Sequence, residues 1–118
     1  MTRPAAQRLD DIADAIVRIQ AAMAALDLDP APDQADLLQD AILYRLLVIG
    51  EAVKALPEQV RAAAPEVPWR NIARLRDLLA HQYHRVDPEI IHATCDQPLA
   101  QLGDALPGLR LAAGRDSG

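Results

Sequence analysis

Residues 34 to 55 read QADLLQDAILYRLLVIGEAVKA. Leu37, Leu38, Ile42, Leu43, Leu46, Leu47, Val48, Ile49 and Val53 recur at helical spacings but spread over far more than one stripe. A helix with this distribution buries one face in the core of its own chain and a second face against another surface. No segment elsewhere sustains the two-residue alternation of β-branched residues that marks a strand. The chain therefore reads as all-α.

On the N-terminal side, Leu9, Ile12, Ile16, Ile19, Met23 and Leu26 alternate spacings of three and four. They form one apolar stripe on a first helix that begins near Thr2 and Pro4. Asp27 to Pro32 contains two aspartates and two prolines, a helix-to-helix connection, after which Asp33 is the expected N-cap. On the C-terminal side a short helix is expected over Pro57–Ala64. Pro68 then opens a long helix carrying Ile72, Leu75, Leu78 and Leu79.

Asp87 and Pro88 read as N-cap and first residue of a last helix through Ile90, Ile91, Leu99, Leu102, Leu106 and Leu109, kinked at Pro98. The expected architecture is an antiparallel up-down bundle of four main helices plus one short helix, homodimeric. Residues 1–113 form the single helical domain and 114–118 a frayed tail.

A chain of 118 residues fits one domain. Half of it is apolar, mostly Ala, Leu, Ile and Val; the aromatics are Trp69, Tyr44 and Tyr83, with no Phe, which suits closely packed helices. Cys95 is the only cysteine, so neither an intrachain disulfide nor a multi-cysteine metal site is expected. The charged N-terminus and the short, Arg45-interrupted apolar run Ala41–Ile49 fit neither a signal peptide nor a membrane span. A cytoplasmic protein without cofactor or metal is expected.

The formal net charge of −5 argues against binding nucleic acid through a generally basic surface. Basic residues are nonetheless concentrated between Trp69 and Arg85, where Arg70, Arg74, Arg76 and Arg85 face only one acid, Asp77. The same window holds Arg76-Asp77-Leu78-Leu79-Ala80-His81-Gln82-Tyr83. At ~100° per residue, Arg76 and Tyr83 share one line of a helix and Asp77 and His81 another, whereas Arg76 and His81 are about 140° apart. A site that uses both needs the helix to end or bend near Ala80, or needs a second copy of the chain.

An Arg and a His without a metal-binding cluster match metal-independent phosphodiester chemistry. His removes a proton from a ribose 2′-hydroxyl or returns one to the leaving oxygen, and Arg stabilises the charge growing on the phosphoryl oxygens. The substrate would then be RNA, since DNA lacks the internal nucleophile.

The spacing Arg, four residues, His, one residue, Tyr, with a polar residue directly after the Arg, resembles the signature of HepT-like proteins of the HEPN superfamily. The flanks resemble that family too: Ile49-Gly50-Glu51-Ala52, Val67-Pro68-Trp69, Ala80-His81-Gln82-Tyr83 and the Leu99 region after Pro98. His92 departs from it, standing where a large aromatic is expected.

The resemblance, over roughly Leu37 to Leu106, implies a helical homodimer whose motifs face each other across a cleft, acting as an RNA-cleaving toxin. It also implies a minimal nucleotidyltransferase antitoxin that transfers AMP onto the motif tyrosine. Arg76 and His81 become the catalytic pair, Asp77 their companion and Tyr83 the AMP acceptor. Arg70, Arg74, His84 and Arg85 are candidate RNA contacts.

Plainer readings stand beside these. Arg76 can simply pair with Asp77 or Glu51, His81 can be a satisfied helix-end histidine, and Tyr83 can cap the core with its hydroxyl in water. Glu51 is either an orienter for Arg76 or an ordinary helix acid, and Gly50 signals a close helix approach within the chain or across a dimer. The alternative function is a non-catalytic helical binding module, a partner or substrate-presenting subunit for a nucleotidyltransferase.

Overall fold

The structure is a computed structural model and describes residues 4–82 and 88–117. Helix α1 spans Ala5–Leu26. Its expected stripe is its buried face: Leu9, Ile12, Ile16 and Ile19 are removed from solvent together with Ala15 and Ala22. Pro4 caps the helix through its backbone, its carbonyl accepting from the N–H groups of Gln7 and Arg8. The connection reverses at Asp29, whose φ of 55° is left-handed, a conformation that Asp tolerates better than most residues.

Helix α2 is Pro32–Ala55 and its N-cap is Ala31, without a side-chain cap hydrogen bond. The expected N-cap Asp33 therefore lies inside the first turn. Pro32 takes the first helical position because its φ is already helical and its missing N–H would have had no partner there. The Asp33 carboxylate instead faces the positive end of the helix dipole. Ile42, Leu46, Ile49 and Val53 form the core-facing stripe. Leu43, Leu47 and Val48 are half-buried, and Leu37 and Tyr44 stay exposed at 69% and 58%. One of the two apolar faces expected for this helix is thus buried within the chain and the other is left partly open.

Helix α3 is the single turn Glu58–Arg61, shorter than the expected Pro57–Ala64. Beyond it the chain tightens into i→i+3 bonds, Ala63 to Val60 and Ala64 to Arg61. Helix α4 spans Trp69–Gln82. Pro68 is not in its first turn: the Pro68 carbonyl accepts the Ile72 N–H at 3.1 Å, so Pro68 stands just before the helix. Trp69 Nε1 donates to the Ala64 carbonyl at 3.0 Å and fastens the start of α4 to the α3 turn.

The last expected helix is two helices, α5 (Pro88–Cys95) and α6 (Gln97–Ser117). The break falls at Asp96 rather than as a kink at Pro98. The Asp96 N–H closes α5 on His92, while its carbonyl accepts the Ala100 N–H and opens α6. Pro98 then sits in the first turn of α6, where a proline removes no helical bond. The proline inside α6 is Pro107. Helix α6 continues to Ser117, past the Ala113 at which the tail was expected to fray. Asp87, the expected cap of α5, lies outside the described residues.

The four long helices α1, α2, α4 and α6 build the core. Helix α1 packs on α2 and α6, α2 on α4, and α6 on the short α3 and α5. Arg110 donates to Asp10 at 2.7 Å and pins α6 to α1. His92 of α5 is half-buried beside Ile19, Met23 and Cys95, with no partner for its Nε2 among the described residues. Burial pushes the Cys95 thiol up to about 11, so at neutral pH it is a small apolar filler rather than a nucleophile. No described helix is long and apolar enough to cross a membrane.

Candidate active site

Helix α4 turns Ile72, Leu75 and Leu79 into the core, and this fixes where every other side chain on it points. Arg76, one residue beyond Leu75, lies at the edge of that buried face, against α2. The contact there is unusually close: a Cβ built on Gly50 would fall 2.1 Å from the Arg76 Cβ and 2.6 Å from its Cγ. Only a residue without a side chain lets α2 and α4 meet at this point. Of the two close approaches that Gly50 signalled, the one within the chain is present.

The helix contact carries an ion-pair network. Arg76 Nε donates to Glu51 Oε1, and Nη2 faces the same oxygen. Arg76 Nη1 reaches Asp77 Oδ1 at 3.2 Å, and Lys54 Nζ donates to that oxygen at 2.9 Å. Glu51 and Lys54, one helical turn apart on α2, thus bind the consecutive Arg76 and Asp77 of α4. The Arg76 side chain is 24% exposed while both carboxylates are half-exposed, so the guanidinium is seated but not sealed off.

The charges reinforce one another. The hydrogen bond from Lys54, opposed in part by desolvation and helped by Arg76, holds the Asp77 carboxyl below its ordinary range. The hydrogen bond to Glu51, again against some desolvation and with help from Asp77, pushes the Arg76 guanidinium further up. A guanidinium has five N–H donors. With Nε and one hydrogen on each Nη directed at these carboxylates, each Nη keeps another that can meet an anionic oxygen.

Helix α4 does not end at Ala80; it runs on through His81 to Gln82. His81 is exposed, about 140° around the helix from Arg76. One copy of α4 therefore does not bring the two side chains together. Arg70 and Arg74 are both exposed on the same helix. Tyr83, His84 and Arg85 lie outside the described residues, so their places as acceptor and candidate RNA contacts remain expectations from the sequence.

The pattern of the family described as "Ribonuclease HepT-like" matches residues 12–107. The chain belongs to that family. A HepT-like relative from Thermococcus cleftensis, "Probable ribonuclease HepT", is 33% identical over 115 residues, 93% of this chain and 99% of the relative. A protein of Methanocaldococcus jannaschii provisionally named an RNase is 53% identical over 53 residues, covering 45% of this HepT-like chain and 44% of the relative. Another provisionally named RNase, from Caldanaerobacter subterraneus, is 40% identical over 72 residues, 57% of this chain and 64% of its own length. The match thus spans less than half of the Methanocaldococcus relative. No solved structure matches the chain.

Of the two roles left open for Glu51, the contact with Arg76 is the one present, whereas Lys54 joins the network unanticipated. Their three-residue spacing on α2, opposite in charge order to Arg76-Asp77, was the available signal.

Proposed function

We propose that this HepT-like chain is the toxin of a toxin–antitoxin pair, a metal-independent endoribonuclease acting in the cytoplasm as a homodimer. Arg76 of one copy and His81 of the other meet at one RNA phosphate. The observation that carries this reading is the continuity of α4 through Gln82, which leaves Arg76 and His81 pointing apart in one chain and calls for a second.

The chemistry assigned to these groups is transesterification. The imidazole of His81 takes the proton of the ribose 2′-hydroxyl as its oxygen attacks phosphorus, or protonates the departing 5′-oxygen. Arg76, held in place by Glu51 and Asp77, presents its remaining N–H donors to the non-bridging oxygens, whose charge grows in the transition state. The locally basic Arg70 and Arg74 attract the RNA backbone to an otherwise acidic protein. Resemblance to the family motif supports the remainder of the proposal. A minimal nucleotidyltransferase neutralises the toxin when the Tyr83 hydroxyl attacks the α-phosphorus of ATP, forming the AMP ester and releasing pyrophosphate.

The test is to incubate wild-type protein and His81→Ala, matched for helicity by circular dichroism, with bulk RNA in EDTA. Cleavage by wild type alone is expected. No cleavage by either protein overturns the nuclease reading and favours the binding-module alternative, in which Tyr83 still accepts AMP.

A further inference from the structure

Next to the candidate active site, α2 and α4 leave a pocket of about 380 Å³ lined by Asp40, Leu43, Tyr44, Leu47, Leu79 and Ala80. Its described α4 wall is Leu79 and Ala80, the two residues that precede His81 in the sequence. Its other components differ in kind. Leu43, Leu47 and Leu79 are an apolar floor, and Tyr44 is an aromatic ring left 58% exposed. The Arg45 guanidinium stands over that ring, 5.1 Å from its centroid. Asp40, one turn before Tyr44, is the only charged group among the described residues that line the pocket.

We infer that this pocket is a guanine-binding subsite that selects the nucleotide at the scissile phosphate; the inference rests on the reading of the substrate as RNA. A base is flat and apolar on its faces and polar on its edge, which matches a pocket with an aromatic plane, a leucine floor and one polar group at the rim. Arg45 occupies one face of the Tyr44 ring and a base stacks on the other. The anionic Asp40 repels phosphate. The nucleotide therefore enters base first, its phosphate directed along the α2–α4 contact toward Arg76.

Asp40 also determines which base fits. A carboxylate accepts two parallel hydrogen bonds and donates none. On its Watson–Crick edge guanine offers two adjacent donors, N1–H and the exocyclic N2 amino group. Adenine and cytosine place an acceptor beside their donor, and uracil places a carbonyl on each side of its single N–H. For each of these a lone pair faces the carboxylate. Inosine keeps N1–H but lacks the N2 amino group, so it isolates half of the contact.

The test compares cleavage of two RNAs that differ only in guanosine or inosine at the cleavage position, by wild type, Asp40→Asn and Tyr44→Ala. Binding of guanosine and inosine monophosphates is followed in parallel by NMR. Wild type is expected to favour guanosine by roughly tenfold to a hundredfold and to bind guanosine monophosphate with shifts at Tyr44, Leu47 and Ala80. Asp40→Asn is expected to lose the preference.

Equal rates on the two RNAs, or a preference that survives Asp40→Asn, overturn the subsite while leaving the nuclease reading intact. Guanosine monophosphate bound at these residues without any cleavage removes the nuclease reading and, with it, the pocket's place at a scissile phosphate, leaving guanine binding alone. Loss of the dimer in Tyr44→Ala, together with no shifts at Tyr44, Leu47 and Ala80 when guanosine monophosphate is added to wild type, overturns it differently, showing that the pocket is a contact between copies.

Discussion

Gly50 and Arg76 occupy each other's space so closely that neither position can grow toward the other. A methyl group on Gly50 would meet both the Cβ and the Cγ of Arg76, atoms near the backbone that no rotamer change removes entirely. Gly50→Ala is therefore expected to force α2 and α4 apart, at about 1–3 kcal/mol. Thermal unfolding checks this. An unchanged midpoint would show that the helices have slack here. Because the displaced residue is Arg76, RNA cleavage is expected to fall well beyond the loss of folded protein.

Glu51→Gln separates positioning from stability. The Arg76–Glu51 pair is partly solvent-exposed, so its removal is expected to leave the stability of the fold close to that of wild type. A guanidinium free to swing away from the phosphate is expected to lower cleavage by about tenfold to a hundredfold. Single-turnover rates measured beside denaturant midpoints check the split; parallel losses in both would reduce Glu51 to a stabilising residue.

The two-copy arrangement is open to complementation. Arg76→Ala and His81→Ala are each expected to be inactive. Unfolded together and refolded as a mixture, half of the dimers are mixed, and in each mixed dimer one of two sites pairs an intact Arg76 with an intact His81. Recovery of about a quarter of wild-type cleavage is expected for two-fold pairing. No recovery at all would assign both groups to one chain.

Asp77 gives a pH dependence with a definite sign. Its carboxyl is held below the ordinary range in the folded state, mainly by Lys54, so its contribution to stability is present above the pKa of an unfolded aspartate. It disappears as pH falls through the lower folded value. The difference in thermal midpoint between wild type and Asp77→Asn is expected to be constant near neutrality and to close only on the acid side of the usual carboxylate range. A difference that closes at a higher pH would contradict the Lys54 contact.

The elements legible in the sequence were those set by one periodicity. The stripe from Leu9 to Ile19 and the long second helix needed only the spacing of apolar residues. The ends of helices were less legible because two residues compete for each role: Pro32 displaced Asp33, and Asp96 rather than Pro98 divided the last helix. In both cases proline settled in a first turn, where its lack of an N–H costs nothing. Arg76, Asp77 and His81 were legible as a motif. Lys54 was not, since a pairing across 23 residues depends on how two helices are rotated against each other, which Gly50 fixes.

An α4 that runs unbroken past Ala80 also bears on how activity scales with the amount of protein. For chemistry that needs Arg76 and His81 at one phosphate, a solitary chain is inert and the competent species forms in proportion to the square of its concentration, until pairing saturates. Basal leakage from a weakly expressed gene then produces almost no damage to RNA, whereas a modest rise in synthesis, or a modest drop in whatever blocks pairing, crosses a threshold.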